Sequence, residues 1–148
     1  MRSDVTVVLV VEDDALTRQL AVELLSENGH EVMQASDAGR ALTILNDQAG
    51  RIDLLFTDIQ MPGHMNGSAL ARYVHVKWPW IAQLVTSGMV RPKPAALPAA
   101  TYFLAKPYRS RDVLSQIQEL IGLTRAPDPG AELVMAMQKR RQHLAMRH

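Results

Sequence analysis

The chain has 148 residues, of which 47% are hydrophobic and 21% are charged, and it lacks cysteine, which excludes disulfides and thiolate metal sites. It is long enough to bury one core. No apolar stretch approaches the ~20 residues of a membrane span, and the first residues show no signal-peptide pattern. We therefore expect a cytoplasmic protein without a membrane partner. The net charge of +1 divides into +3 for residues 124–148 and −2 for residues 1–123, which argues against a nucleic-acid surface on the body.

Strand-like and helix-like segments alternate along the chain. The first run, VTVVLVV (5–11), is almost entirely β-branched or aliphatic, as is typical of a strand that is covered on both faces. Further strands are predicted at 31–36, 52–57, 80–86 and 101–105, and helices at 15–28, between Asp37 and Gly50, at 66–77 and at 110–121. This alternation predicts a parallel sheet with right-handed crossovers.

The predicted helices carry apolar faces at the three-and-four spacing. The first is expected to bury Leu16, Leu20, Ala21, Leu24 and Leu25 and to stop at Gly29. Asp37 is the predicted N-cap of the second helix, and Asn66 or Gly67 opens the third. The predicted buried positions are Leu70, Tyr73 and Val74 in the third helix. In the last helix they are Val113, Leu114, Ile117, Leu120 and Ile121. The methionines Met33, Met61 and Met65 are predicted to serve in packing.

Two segments interrupt this regular order. Between the fourth and fifth strands, Pro92, Pro94 and Pro98 crowd one short stretch, and proline within a helix costs about 3 kcal/mol, so we expect a loop or at most one helical turn. After Gly122, the composition of TRAPDPG predicts a linker. The basic tail beyond it could form an amphipathic helix with Leu133, Met137 and Leu144 on one side.

Chemically active side chains follow four of the predicted strands. Glu12 and Asp13 come after the first strand, Asp58 after the third, Ser87 after the fourth and Lys106 after the fifth. The carboxyl ends of parallel strands line one crevice, where ligands of open α/β sheets bind. The predicted site has the composition to hold a divalent metal and a phosphoryl group.

The chemistry expected of this site follows from the residue types. A carboxylate can attack phosphorus only if the phosphoryl charge is offset, so Mg²⁺ with the hard oxygen ligands of Glu12, Asp13 and Asp58 is the expected cofactor. Lys106 could pair with Asp58 beforehand and with the phosphoryl oxygens afterwards, while the Ser87 hydroxyl could donate a hydrogen bond to them.

Structural explanations exist for each motif taken alone. Acidic residues at 12–14 suit the start of a helix, and we assign Asp14 to that role. Asp58 and Ser87 could belong to turns, and Lys106 could simply end a strand. All of these explanations would have to coincide at the carboxyl ends of separate strands, which favours a site.

Four motifs in order, VLVVEDD, LLFTDIQMPG, LVTSG and FLAKPY, resemble the receiver domain of two-component response regulators, in particular the chemotaxis-regulator-like members, over residues 5–122. The resemblance implies an α/β, flavodoxin-like, doubly wound five-stranded parallel sheet with strand order 2-1-3-4-5. Its fourth helix, between the fourth and fifth strands, would be reduced or absent. The predicted division is a receiver domain at 1–123, followed by a linker and basic C-terminal tail at 124–148.

The resemblance also implies roles for the site residues. Asp58 would be the phosphoacceptor, and Glu12 and Asp13 would hold Mg²⁺ together with the Asp58 carboxylate and the backbone carbonyl of Gln60. The remaining implied roles are the switch hydroxyl for Ser87, the aromatic that changes rotamer for Phe103, the active-site lysine for Lys106 and the cis-proline position for Pro107.

The function implied by this resemblance is that of a stand-alone phosphoprotein in a phosphorelay. It would take a phosphoryl group from a histidine kinase or phosphotransfer protein and signal by conformational change and contact with a downstream protein target. It would not be an enzyme beyond slow self-dephosphorylation. The tail is expected to dock, either beside the reduced fourth helix of its own body or on the same surface of a second copy, which would give a homodimer.

Two alternatives remain open from the sequence. An aspartate-nucleophile phosphohydrolase would use similar chemistry, although Asp58-Ile59-Gln60 lacks the second aspartate of the usual Asp-x-Asp motif. A DNA-associated regulator would act through the basic tail, which is the less favoured interpretation because KRR at 139–141 is more often a solvated helix face.

Overall fold

The computed structural model describes residues 5–61, 65–88 and 101–124. The strands are β1 Val7–Val11, β2 Glu31–Ala35, β3 Leu54–Asp58, β4 Ala82–Ser87 and β5 Thr101–Ala105. The helices are α1 Ala15–Glu27, α2 Ala38–Gln48, α3 Gly67–Lys77 and α4 Ser110–Thr124, with a 3₁₀ turn at Ala49–Arg51. All strand pairs are parallel and the sheet order is 2-1-3-4-5, which confirms the predicted flavodoxin-like α/β fold.

The sheet is covered on both faces, as the continuous apolar runs predicted. One core cluster joins Leu9 and Leu55 of the sheet to Leu45 of α2 and Leu70 of α3. The other cluster joins sheet residues such as Leu84 to α1 and α4. Of the five apolar positions predicted for α4, four are buried in this cluster and the fifth, Leu114, packs against it. The predicted packing roles are confirmed for Met33, Met61 and Met65, which lie against the first cluster.

Side-chain caps fix the helix starts where the sequence placed them. The Asp14 carboxylate accepts a hydrogen bond from the Thr17 amide at 2.8 Å, so Asp14 has the predicted structural role. Asp37 caps α2 and Asn66 caps α3 in the same way. At the other end of α1, Gly29 adopts a φ of 87°, a conformation that glycine tolerates without steric cost.

Several predicted element boundaries are corrected by the structure. The first, third and fourth strands each begin two residues later than predicted, because parallel pairing begins only where Val7, Leu54 and Ala82 have partners in register. The second helix ends at Gln48 and tightens into the 3₁₀ turn before it reaches Gly50. The last helix continues to Thr124.

Three side chains that were predicted to be buried are exposed. Leu16 and Leu20 of α1 are 66% and 58% exposed, and Tyr73 of α3 is 40% exposed. A helix on an open sheet is covered on one side only, so residues at the flank of its apolar stripe remain in solvent. In α1, the contact with the core is made through Ala21 and Leu25.

Some sequence predictions fall outside the described residues. The segment predicted to hold a reduced fourth helix, with its prolines and Met89, lies within 89–100, and most of the tail lies within 125–148. Those predictions, including the domain boundary at 123, remain predictions. Among the residues that the structure describes, no helix is both long enough and apolar enough to cross a bilayer.

Candidate functional site

The fold brings the predicted site residues to one edge of the sheet. Glu12 directly follows β1, Asp58 ends β3, Ser87 ends β4 and Lys106 directly follows β5. Parallel register aligns these ends, because Asp58 lies opposite Thr86 and Ser87 lies opposite Ala105 on the neighbouring strands. The structure therefore gathers side chains that are up to 94 residues apart in the sequence.

Lys106 connects two of the carboxylates. Its Nζ atom lies 2.6 Å from Glu12 Oε1 and 3.1 Å from Asp58 Oδ2. The expected pairing with Asp58 is present, but the contact with Glu12 is shorter. Burial alone would lower the pKa of Lys106, yet the hydrogen bonds to Glu12 and Asp58 outweigh it and the pKa is raised. Lys106 is therefore held as a cation beside the predicted phosphoacceptor.

Glu12, Asp13 and Asp58 form an acidic cluster in which one carboxylate oxygen from each lies within 4.8 Å of the others. Glu12 and Asp58 are buried, whereas Asp13 is exposed. Three hard oxygen donors at such spacing suit Mg²⁺, which binds through a few carboxylates and retains water. The donor set thus fits the predicted cofactor.

Backbone amides position these carboxylates. The Asp14 amide donates to Glu12 Oε2 at 3.2 Å, and the Gln60 amide donates to Asp58 Oδ1 at 3.2 Å. Burial raises the pKa of Glu12, while the bonds from Lys106 and the Asp14 amide partly offset the increase. Because metal ligands must be deprotonated, we infer that the charge of a bound cation would favour ionised Glu12.

The predicted switch residues lie on the two neighbouring strands β4 and β5. Ser87 is only 3% exposed, and the backbone amide of Lys106 donates to its carbonyl at 2.9 Å, which ties the end of β4 to the end of β5. Phe103 is half-buried on β5, opposite Val85 in register. The peptide bond between Lys106 and Pro107 is cis, as the resemblance implied for Pro107.

The role of Gly67 was not predicted from the sequence. Its amide donates to the Ile59 carbonyl at 2.8 Å, and a Cβ atom at this position would lie 1.8 Å from the carbonyl oxygen of Asp58. The start of α3 therefore rests directly on the backbone that carries Asp58. A glycine at the first turn of a helix was the available signal, but helix starts accept glycine for several reasons.

Arg18 and Tyr108 were also missed. The Arg18 guanidinium donates to the Glu12 carbonyl at 2.9 Å and to the Gln34 side chain at 3.1 Å, which ties α1 to the ends of β1 and β2. Tyr108 lines a small cavity behind Glu12 and Asp58, and burial raises the pKa of its phenol. Tyr108 ends the motif FLAKPY but received no role there, and nothing in the sequence around Arg18 indicated its contacts, since both depend on the folded geometry.

Comparison with known proteins gives one consistent result. Residues 8–118 match the family described as the response regulator receiver domain. The chain is 31% identical over 117 residues to the sensor kinase CckA of Brucella abortus, which covers 77% of this chain but 12% of that protein. It is also 32% identical over 110 residues to the two-component response regulator-like protein APRR3 of Arabidopsis thaliana, covering 72% of this chain and 22% of the relative.

Solved structures agree with the sequence relatives. A receiver domain from the hybrid histidine kinase CckA is 30% identical, with a TM-score of 0.68 over 78% of this chain and 98% of that domain. A response regulator receiver domain protein from Clostridium thermocellum is 26% identical, with a TM-score of 0.75 over 80% of this chain and 95% of the other. The similarity thus extends over whole receiver domains but only short parts of the curated relatives.

Proposed function

Because the chain belongs to the response regulator receiver domain family, we propose that Asp58 accepts a phosphoryl group and that the domain signals its presence to another protein. The observation that supports this most directly is the Lys106 amine, which lies within 3.1 Å of the Asp58 carboxylate at the mouth of an acidic cluster. A nucleophile, a fixed cation and a metal-binding donor set then lie at one point, as phosphoryl transfer requires.

The transfer step follows from these groups. An oxygen of the ionised Asp58 carboxylate attacks the phosphorus of a phosphohistidine on the donor protein. The new O–P bond forms while the N–P bond breaks, and its electron pair stays on the imidazole nitrogen. Lys106 offsets the charge on the phosphoryl oxygens throughout. A bound Mg²⁺, held by Glu12, Asp13, Asp58 and the backbone carbonyl of Gln60, would supply further charge neutralisation.

The response to phosphorylation begins with a change of charge. Asp58 exchanges one negative charge for about two on the phosphoryl group, which also brings new acceptor oxygens. The Ser87 hydroxyl donates to one of these oxygens and draws the end of β4 inward. Phe103 on the neighbouring strand then turns into the space that the β4 end vacates. Its new position changes the surface that a downstream protein contacts.

The donor protein needs an apolar surface near Asp58, and α1 provides one. This helix begins at Ala15, immediately after the acidic residues, and exposes Leu16 and Leu20 one turn apart. Their predicted burial was wrong, but their exposure suits contact with a helical histidine kinase or phosphotransfer domain. We assign donor docking to this flank of α1.

The metal part of the proposal is tested by substitution of the acidic pair. Glu12 is already bound to Lys106 and to the Asp14 amide, whereas Asp13 is exposed and is the expected direct ligand. We expect Asp13→Ala to weaken Mg²⁺ binding by more than Glu12→Ala, and by at least about tenfold, since losing even outer-shell partners costs about 10–100-fold. Titration calorimetry at constant pH measures both, and Asp14→Asn, which keeps the α1 cap, is the matched control. Equal losses for the two alanine variants would contradict this division of roles.

The lifetime of the phosphorylated state should depend on the residues two positions after Asp58 and Ser87 in the sequence. Gln60 is exposed two residues after Asp58, and Met89, two residues after Ser87, lies outside the described part of the chain. A methionine cannot orient water by hydrogen bonding, so we expect slow self-dephosphorylation and faster decay in Met89→Gln. Decay of the phosphorylated protein, followed after removal of the donor, measures this. Gln118→Ala, on the distant exposed face of α4, is the control. If Met89→Gln and Gln60→Ala both decay at the native rate, the explanation fails.

A further inference from the structure

An exposed apolar surface lies at the end of the domain opposite the site. Tyr73 and Val76 of α3 and Trp80, in the loop before β4, are 40%, 82% and 46% exposed. Together with Lys77 they form what we call the Trp80 surface. Helices that follow parallel strands end at the amino ends of those strands, so this surface faces away from Asp58 and plays no part in the proposed phosphoryl transfer.

The Trp80 surface is held in place by specific contacts. The indole nitrogen of Trp80 donates to the Ala49 carbonyl at 3.3 Å. The Lys77 amine donates to Asn46 Oδ1 at 3.2 Å and to the Tyr73 hydroxyl at 3.3 Å, and lies 5.6 Å from the centre of the Tyr73 ring. Trp and Tyr are among the residues that contribute most of the energy of protein contacts.

We propose that residues 125–148 of the same chain cover the Trp80 surface. The C-terminal helix α4 runs back along the sheet and ends at Thr124, at the same end of the domain as Lys77 and Trp80. Ten extended residues span roughly 35 Å, which is about the diameter of a domain of this size. The segment is therefore long enough to reach from Thr124 to Trp80.

The composition of this segment matches the surface. It contains six large apolar side chains, three of them methionines that adapt well to aromatic rings: Leu133, Val134, Met135, Met137, Leu144 and Met146. Its two acidic residues, Asp128 and Glu132, come before the basic run at 139–141 in the sequence and offer carboxylates to Lys77, whereas the five basic side chains of the segment would remain in solvent. A helix of this length is marginal in water without packing, so docking would supply the stability that the segment lacks alone.

The tether explains why the occupant is the chain's own segment. A covalently linked segment meets its site at an effective concentration in the millimolar range for a short flexible connection, which a second copy does not reach in dilute solution. The proposal replaces the sequence-based expectation that the tail docks beside the reduced fourth helix or forms a dimer. It does not depend on phosphorylation of Asp58.

The two tryptophans of the chain make the test direct. Trp78 is buried at 8% exposure, and in a Trp78→Phe background Trp80 is the sole tryptophan and reports on the surface. In the full-length protein we expect acrylamide to quench Trp80 weakly. Replacing Leu133, Met137 and Leu144 with serine should increase the quenching constant and move the emission to longer wavelength. Gln138→Ser with Gln142→Ser, in the same segment, is the control and should leave both unchanged.

A second variant tests the surface itself. Val76→Asp places a charge at an 82% exposed position, where it cannot disturb the core, and should increase the quenching of Trp80 as the serine variant does. Leu20→Asp on α1 is the matched control and should leave the quenching of Trp80 unchanged. Equal quenching in the native and serine-substituted chains overturns the proposal. Protection that increases with protein concentration, together with a doubled mass in light scattering, also overturns it in favour of a second copy.

Discussion

Asp58→Asn should abolish phosphate uptake. In the presence of Mg²⁺, we expect the native protein to take one phosphate from a small acyl phosphate donor and the variant to take none, as measured by intact mass spectrometry. The amide of asparagine has no anionic oxygen with which to attack phosphorus, and it also removes the charge that pairs with Lys106 at 3.1 Å. The expected effect is therefore complete loss rather than a reduced rate.

A neighbouring carboxylate provides the control for Asp58. Asp14 lies at the start of α1 and serves as its N-cap, and asparagine caps helices about as well as aspartate. Asp14→Asn should therefore keep native uptake and a native melting temperature. Phosphate that still appears in the Asp58→Asn protein would place the acceptor at another residue. Uptake by the native protein with a chelator present would remove the metal from the proposal.

Gly67→Ala should both destabilise the protein and impair phosphorylation. A Cβ atom at this position would lie 1.8 Å from the Asp58 carbonyl oxygen and 2.8 Å from the Ile59 Cα atom, and both of these are backbone atoms that no side-chain rotation can move aside. Forcing extra atoms into a closely packed site costs about 1–3 kcal/mol. The strain falls on the segment that orients the Asp58 carboxylate, so uptake of phosphate should slow as well.

Gly122 offers the matched glycine control. It lies within α4, and a Cβ atom there would meet nothing within 4 Å. Replacing a helical glycine with alanine stabilises by roughly 0.5–1 kcal/mol, so Gly122→Ala should melt at or slightly above the native temperature with unchanged phosphate uptake. Thermal melting and phosphate uptake distinguish the two variants. If Gly67→Ala melts and labels like the native protein, α3 does not constrain the Asp58 backbone.

The sequence alone predicted the features that depend on nearby residues. Alternating strands and helices, and the caps Asp14, Asp37 and Asn66, follow from spacing and from side chains that bond within one turn. The expectation that Glu12, Asp58 and Lys106 converge needed only the rule that parallel strand ends share an edge. The caps can be recognised in a single sequence because each is complete within a few residues, and the site could be predicted because each of its residues follows a recognisable strand.

Tertiary structure decided what depends on distant partners. The sequence could not show that Lys106 lies closer to Glu12 than to Asp58, because that depends on how three strands align at the sheet edge. Nor could it show that Leu16 and Leu20 remain in solvent, since a helical stripe does not reveal how much of it the sheet covers. The contact of Gly67 with the Asp58 backbone is of the same kind. It exists only because the fold brings the start of α3 within van der Waals distance of the end of β3.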